Sequence, residues 1–378
     1  MLRSAEPVTA LRSVTRTLFD RLYDETVDVD ADYVVGPSST EEAATVLAAA
    51  AEAGIPTTFL GGGTRSELGG PVAADLVITT TRIASVVDWR PEDLTVVVGA
   101  GLPVGALEAE LVERNQTAVL PEVAPGSTIG GVIAAGVSGY RRLRYGPTRD
   151  RVLRVRLATG YGKAVTGGSH VVKSSTGYGL ARLATGSLGS LGMIGEVTLK
   201  LWSHPLVGST VSVDTAAEAY RTTYRPLAVL DTSEGALLYL GGSEAQIEAQ
   251  AAAVGGDARP GLAWPEPISE PVQVEMRVPA AHLAEAILWA KRIGATRWIA
   301  QHGVGIVSAG LGGVDIAGIV AARAWAESVS GAAVILAGTD GRIDPWGAPP
   351  ASLDLQRRIK SAFDPSGVCN PSILPGGL

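Results

Sequence analysis

Ser127-Thr128-Ile129-Gly130-Gly131-Val132-Ile133-Ala134-Ala135-Gly136, inside the longer stretch Pro121 to Gly146, is the part of the sequence whose reading decides the fold. A hydroxyl residue opens a short turn of helix, and the residues behind it are too small to block a ligand. With Ser127 or Thr128 as cap, backbone N–H groups at the helix start can point at an anion, and Gly130 and Gly131 let that anion approach the main chain. The stretch closes on Arg144-Tyr145-Gly146. An aromatic ring and a guanidinium beside a glycine turn suit a planar, anionic, heteroaromatic ligand such as a flavin, because the ring stacks while the charge pairs. The alternative is a glycine-rich loop that only joins two elements.

Two satellites extend this stretch. Upstream, Ser39 and Glu42 have the spacing of a capping box ahead of an alanine-rich helix that Gly54 stops, and Ile55 to Leu60 reads as a short buried strand. That strand runs into Gly61-Gly62-Gly63-Thr64-Arg65-Ser66. Successive amides in such a nest converge on a pyrophosphate, with Arg65 and Ser66 adding charge and a hydroxyl. Downstream, Val152 to Ala158 and Lys163 to Thr166 read as a hairpin turned at Gly160-Tyr161-Gly162. Gly186-Ser187-Leu188-Gly189-Ser190-Leu191-Gly192-Met193-Ile194 then forms a second glycine nest, followed by an alternating strand through Leu201. Periodic small residues let backbone lie against a flat ligand, whereas the plain alternative is a loop needing glycine for its turns.

A strand at Leu94 to Val98, then Gly99-Ala100-Gly101, a helix opened by Pro103 and Glu122 about twenty residues on imitate a nicotinamide-dinucleotide unit. Val104 stands where the third glycine belongs, and Leu102 and Pro103 crowd the approach, so this reading is disfavoured.

Composition narrows the classes. A chain of 378 residues, 46% hydrophobic, holds roughly two domains with a sizeable core. The net charge of −7 argues against nucleic acid, and the charged fraction of 18% leaves surface for a partner to cover. One cysteine, Cys369, permits neither an intrachain disulfide nor an iron–sulfur cluster. No leader or spanning run is evident, which gives a cytoplasmic expectation. Pro7 to Tyr23 has the apolar spacing of a helix, and from Pro205 the composition changes to alanine, glycine and valine alternations, with a helix at Ala281 to Ile293. Within that part, Gln301-His302-Gly303 offers a histidine able to take a proton from a substrate hydroxyl; the plain alternative is an ordinary hydrogen-bonded residue. Trp298 and Trp346 read as core or interface, and His170, His204 and His282 lack metal-ligand spacing, so no metal site is expected.

The order Gly61 to Thr64, Gly99-Ala100-Gly101, Ser127 to Gly131, Arg144-Tyr145-Gly146 and Gly186 to Gly192 resembles the FAD-binding domain of the vanillyl-alcohol oxidase and p-cresol methylhydroxylase (PCMH-type) superfamily. Within it, Arg141 to Gly146 with Arg149-Asp150, Val172-Lys173 to Gly177-Tyr178, and Asp344-Pro345-Trp346-Gly347 with Asp364-Pro365 and Asn370-Pro371 are similar to the FAD-binding subunits of bacterial glycolate oxidases. The resemblance implies an α+β fold. After an N-terminal helix in 1–30 come a FAD-binding domain of two α+β subdomains at 31–204, an α+β cap at 205–343 and a C-terminal return segment at 344–378. It adds Pro121, Gly101 and Lys173 to the cofactor contacts, and sets Arg144 or Lys173 near the flavin ring.

Thr64-Arg65-Ser66 stands where relatives with covalent flavin carry a histidine, so FAD is expected to be non-covalent. Ser174 and Gly179 depart from the asparagine and aspartate common in close relatives. The implied function is the FAD-bearing subunit of a complex that oxidises a small 2-hydroxy acid such as glycolate. A second flavoprotein and an iron–sulfur subunit would be partners, with only peripheral membrane contact through them at the inner face. The alternative is a stand-alone FAD-dependent oxidoreductase, although the Gly-Asp-Gly-Asn stretch of self-sufficient relatives does not occur here.

Overall fold

The computed structural model describes residues 31, 33–70, 75–169, 179–205 and 207–378. The helix expected over Pro7 to Tyr23, Lys173 with its neighbours and His170 lie outside the described residues.

Strand β1 (Tyr33–Val35) leads to helix α1 (Thr40–Ala53), whose start is fixed by the Ser39 hydroxyl accepting the Glu42 amide at 3.1 Å. The other half of the box is displaced by one residue: the Glu42 carboxylate accepts from the Ser38 amide and hydroxyl at 2.7 and 2.8 Å. Gly54 ends the helix at a φ of 63°. Strands β2 (Thr57–Leu60) and β3 (Leu76–Thr79) complete a parallel sheet in the order β1-β3-β2. The small face of α1, with Ala43, Ala44 and Ala50 beside Val46 and Leu47, lets it pack closely between this sheet and the next.

Strands β4 (Val86–Arg90) and β5 (Thr95–Gly99), helix α2 (Val104–Val112), strand β6 (Gln116–Thr117), and helices α3 (Ile129–Ala134) and α4 (Arg142–Tyr145) come next. They are followed by β7 (Val152–Ala158), β8 (Ala164–Gly168), α5 (Leu180–Ala184) and β9 (Met193–Lys200). The long strands form a five-stranded antiparallel sheet, β4-β5-β9-β7-β8, with the expected hairpin at β7 and β8. Every residue of β5 is buried. Its two neighbours are both antiparallel, whereas a dinucleotide unit needs parallel βαβ strands, so the Gly99-Ala100-Gly101 turn is not one.

Strand β10 (Trp202–Ser203) pairs with β6 and hands the chain to a second α+β body. Here β11 (Val207–Val213), α6 (Ala216–Thr222), β12 (Ala228–Thr232), β13 (Gly235–Gly242), α7 (Glu244–Ala253), β14 (Ala258–Pro260), β15 (Val272–Arg277), α8 (Leu283–Arg292), β16 (Ala295–Gln301), β17 (Ile306–Leu311), α9 (Ile316–Ser328) and β18 (Ala332–Ala337) succeed one another. The strands make one antiparallel sheet, β14-β11-β13-β12-β16-β17-β15-β18. On β15 the period of two sends Val272, Val274 and Met276 into the core under α8 and α9, and Gln273, Glu275 and Arg277 to the opposite face.

Helix α10 (Leu353–Phe363) then brings the chain back to the first body. The Thr57 amide donates to the Val368 carbonyl and the Asn370 amide to the Thr57 carbonyl, each at 2.8 Å, so residues 368–370 run parallel beside β2. The return segment is thereby part of the sheet that carries the first glycine loop.

Candidate cofactor site

Strand β2 delivers Gly61 to Ser66 to one wall of a cleft. Ser127, Thr128, Gly130 and Gly131 form its second wall, and Gly189, Gly192 and Ile194 its third, over a floor of Phe59, Leu60, Val77 and Val132. The first two walls touch, with the Thr64 and Ser127 hydroxyls 2.9 Å apart. The contact continues through backbone: a side chain on Gly61 would strike Thr128, and one on Gly62 the Gly126 carbonyl. Gly63 holds a φ of 69° and has open space where a Cβ would stand.

The expected source of anion-binding amides is corrected by the structure. At the start of α3 the Ile129 amide donates to Leu102 O at 2.9 Å, Gly130 to Ala100 O at 2.7 Å, and Gly131 to the Thr128 hydroxyl at 3.3 Å. Those donors are spent on the turn after β5 and on the cap, and the Ile129 side chain points into the core. Gly62, Gly63, Thr64 and Arg65, by contrast, have amides with no acceptor among the described residues. The amides left free are therefore those of the first loop, and α3 is its bracket. Its far end holds the third wall, since the Gly186 amide donates to Ile133 O at 2.9 Å and the Leu188 amide to Ala134 O at 2.8 Å.

The other sequence-assigned residues lie around this cleft without lining it. Gly101 sits behind the first wall, where a Cβ would strike the Thr80 carbonyl; Pro121 is buried against Gly139, and Leu191 is buried beside the third wall. Arg144 lines a second cavity with Leu143, Tyr220, Thr223, Arg225 and Pro226, and its Nη1 is buried without an acceptor among the described residues. Tyr145 meets Trp202 edge-on, with centroids 5.6 Å apart. The Gly146 carbonyl accepts from Arg151 Nη2 at 2.7 Å. Arg151 is a fully buried guanidinium that burial pulls down to about 10, with Arg141 adding repulsion. The Arg144-Tyr145-Gly146 stretch thus forms the junction with the second body.

His302 follows β16, donating its amide to Val229 O at 2.9 Å, and does not line the cleft. Its Nε2 is buried without a partner among the described residues, and burial lowers its pKa, opposed by nearby Asp231. Among the described residues no group of three or more His, Cys, Asp or Glu side chains is gathered as for a metal ion, and no helix is long and apolar enough to cross a membrane.

A charge cluster that sequence reasoning missed lies at the cleft's edge. Arg65 lines the cleft and has no ion pair among the described residues; the residue is exposed, but the protein crowding it lowers its pKa, and Glu275 of β15 acts in the other direction. Arg142 on α4 is lowered by burial and also feels Glu275, whose carboxylate accepts from Arg277 Nε at 2.7 Å. Residues 65 and 142 meet 275 and 277 only where the two bodies pack together, so no local motif announces them. Asn370, which lines the cleft, was also missed, although Asn370-Pro371 belongs to the C-terminal stretch that carries the resemblance.

Residues 31–168 match the family model of the FAD binding domain. The chain is 27% identical over 343 residues to the glycolate oxidase subunit GlcE of Escherichia coli (strain K12), spanning 84% of this chain and 91% of that protein. It is 36% identical over 175 residues to the D-2-hydroxyglutarate dehydrogenase of Xanthomonas citri pv. viticola, spanning 45% of this chain and 36% of that protein. A D-lactate dehydrogenase of Archaeoglobus fulgidus is 30% identical over 169 residues, spanning 45% and 38%. These last two are thus matched over less than half their own length. The structure of alkyldihydroxyacetonephosphate synthase shares the fold, with a TM-score of 0.65 at 17% identity over 89% of this chain and 75% of that one. The cleft suits FAD on its own terms: free amides and Arg65 for a pyrophosphate, a smooth apolar floor for a flat ring system, and no histidine, cysteine or tyrosine on its described lining to tether one. Residues 31–168 are therefore a FAD-binding domain, and the body that follows them completes the fold shared with that structure.

Proposed function

We propose that this chain is the FAD-bearing subunit of a complex that oxidises a small 2-hydroxy acid, with glycolate the first substrate to test. The observation that carries the proposal is the cleft whose first loop offers free amides while the opposite loop lies flat against the same space. Likeness along nearly the whole length of a glycolate oxidase subunit supports the subunit role. Bound FAD would supply a two-electron acceptor. Gly62 to Arg65 hold its pyrophosphate, Ile194 and Val132 keep water from its apolar parts, and the resemblance sets Arg144 or Lys173 near its ring. Boundaries at 31–204, 205–343 and 344–378 are part of the same proposal. The single buried Cys369 cannot ligate a cluster, so any iron–sulfur relay lies on a partner, and the resemblance implies a second flavoprotein and an iron–sulfur subunit. Any membrane contact is peripheral and made through them.

One observation favours a second reading, in which this chain itself receives the substrate. Glu275 pairs with Arg277 and also acts on Arg65 and Arg142, with Asp150 a second carboxylate near Arg142, so guanidiniums outnumber carboxylates beside the cleft, a balance suited to a carboxylate ligand. The deciding experiment is purification from the native host. The chain is expected to be yellow, to release all its flavin as FAD on acid precipitation, and to show glycolate-dependent dye reduction only with its co-purified chains. Flavin retained in the pellet counts against non-covalent binding. Full turnover by the isolated chain replaces the first reading with the second.

A further inference from the structure

Asn370 ties two walls of the cleft together. Its Oδ1 accepts the Phe59 amide at 3.2 Å, two residues before the first glycine loop, and its Nδ2 donates to the Leu188 carbonyl in the second at 2.5 Å. The residue is 5% exposed, and what it exposes lines the cleft. The second loop is pressed onto this side chain: a Cβ on Gly189, which holds a φ of 75°, would stand 2.6 Å from Nδ2. Asn370 itself holds a φ of 38°, in the left-handed region that asparagine tolerates better than most residues.

The turn that presents Asn370 is wound around a buried carboxylate. Asp364 accepts the Val368 amide at 3.1 Å and the Cys369 amide at 2.9 Å, and pairs with Lys360 Nζ at 2.9 Å. The same ammonium donates to Cys369 O at 2.9 Å and, across 170 residues, to Ser190 O in the second loop at 3.0 Å. A buried ion pair is a poor source of net stability. This one spends its remaining donors on two carbonyls, which fixes the geometry of the turn against the loop.

We propose that Asn370 is a cofactor-positioning residue, setting the gap between the loops that grip FAD, with the turn from Lys360 to Asn370 acting as the clasp that governs how long FAD stays. This rests on the FAD site described above. The test uses the full-length chain loaded with FAD and follows the fluorescence of FAD released on dilution, beside the melting temperature of the apo form. Asn370→Ala is expected to speed release about tenfold, equivalent to about 1.4 kcal/mol. Its apo melting temperature is expected to stay within about 1 °C of wild type, less than the shift of about 2–4 °C by which a comparable general destabilisation would show in a domain of this size. Asn370→Asp keeps the acceptor for Phe59 and nearly the same shape but sets a carboxylate oxygen against the Leu188 carbonyl. It is expected to release FAD faster than wild type even if the alanine variant fails to fold. Unchanged release in both variants overturns the proposal, as does faster release matched by a fall in apo melting temperature, which marks general destabilisation. A wild-type chain that binds no FAD removes the underlying reading instead.

Discussion

Gly62, Gly131 and Gly189 look alike in the sequence, each a small residue that keeps a ligand's approach open, but the structure gives them three different reasons. Gly62 is small because another loop's carbonyl occupies its Cβ position, and Gly189 because its φ of 75° and Asn370 leave no alternative. Only Gly131 fits the ligand argument: its Cβ would meet nothing but the Thr128 hydroxyl, at 3.2 Å. Gly131→Ala is therefore expected to leave apo stability nearly unchanged, helped by alanine's advantage of up to about 1 kcal/mol inside a helix, while FAD affinity falls. Gly62→Val is expected to lower apo stability and FAD affinity together. Paired melting curves and FAD titrations check both; equal loss of apo stability in the two variants would mean that Gly131 also serves only packing.

At the scale of elements, the parts written in local chemistry were legible. Ser39 and Gly54 bound α1 where the sequence predicts, β3 covers the expected Leu76–Thr79, and the β7–β8 hairpin turns at its glycines. Ser39→Ala removes one cap hydrogen bond at a residue that does not line the cleft, so a loss of about 1 kcal/mol in chemical denaturation is expected, with FAD affinity nearly unaltered. What stayed hidden is what depends on long-range pairing. The donors at the start of α3 looked free because nothing local shows that the turn after β5, nearly thirty residues earlier, consumes them. Arg151 reads as one more surface charge after Arg149-Asp150, yet it is fully buried. Apart from the resemblance, the second sheet was legible only as a change of composition, because strands such as β12 and β13 meet at Ser233-Glu234 without the usual glycine or asparagine turn pair.

Across the whole molecule, the two bodies meet through charge as well as packing. The Gly338 amide at the end of β18 donates to the Glu67 carboxylate at 2.9 Å, and Glu275 faces arginines from the first glycine loop and α4. Glu275→Gln leaves Arg65, Arg142 and Arg277 without that carboxylate. Oxalate titrated into the FAD-loaded variant is expected to perturb the flavin spectrum at several-fold lower concentration than in wild type, with a steeper dependence on salt. Equal affinity in the two proteins would leave the cluster a structural seam. The pairing of residues 368–370 with β2 carries a further consequence, one of timing. Phe59 and Asn370 are joined across 311 residues, so the sheet edge beneath the first loop is missing while the ribosome is still making the second body. FAD capture is then a late event in the life of each molecule, and a nascent chain stalled before residue 368 would emerge colourless from a pool full of cofactor.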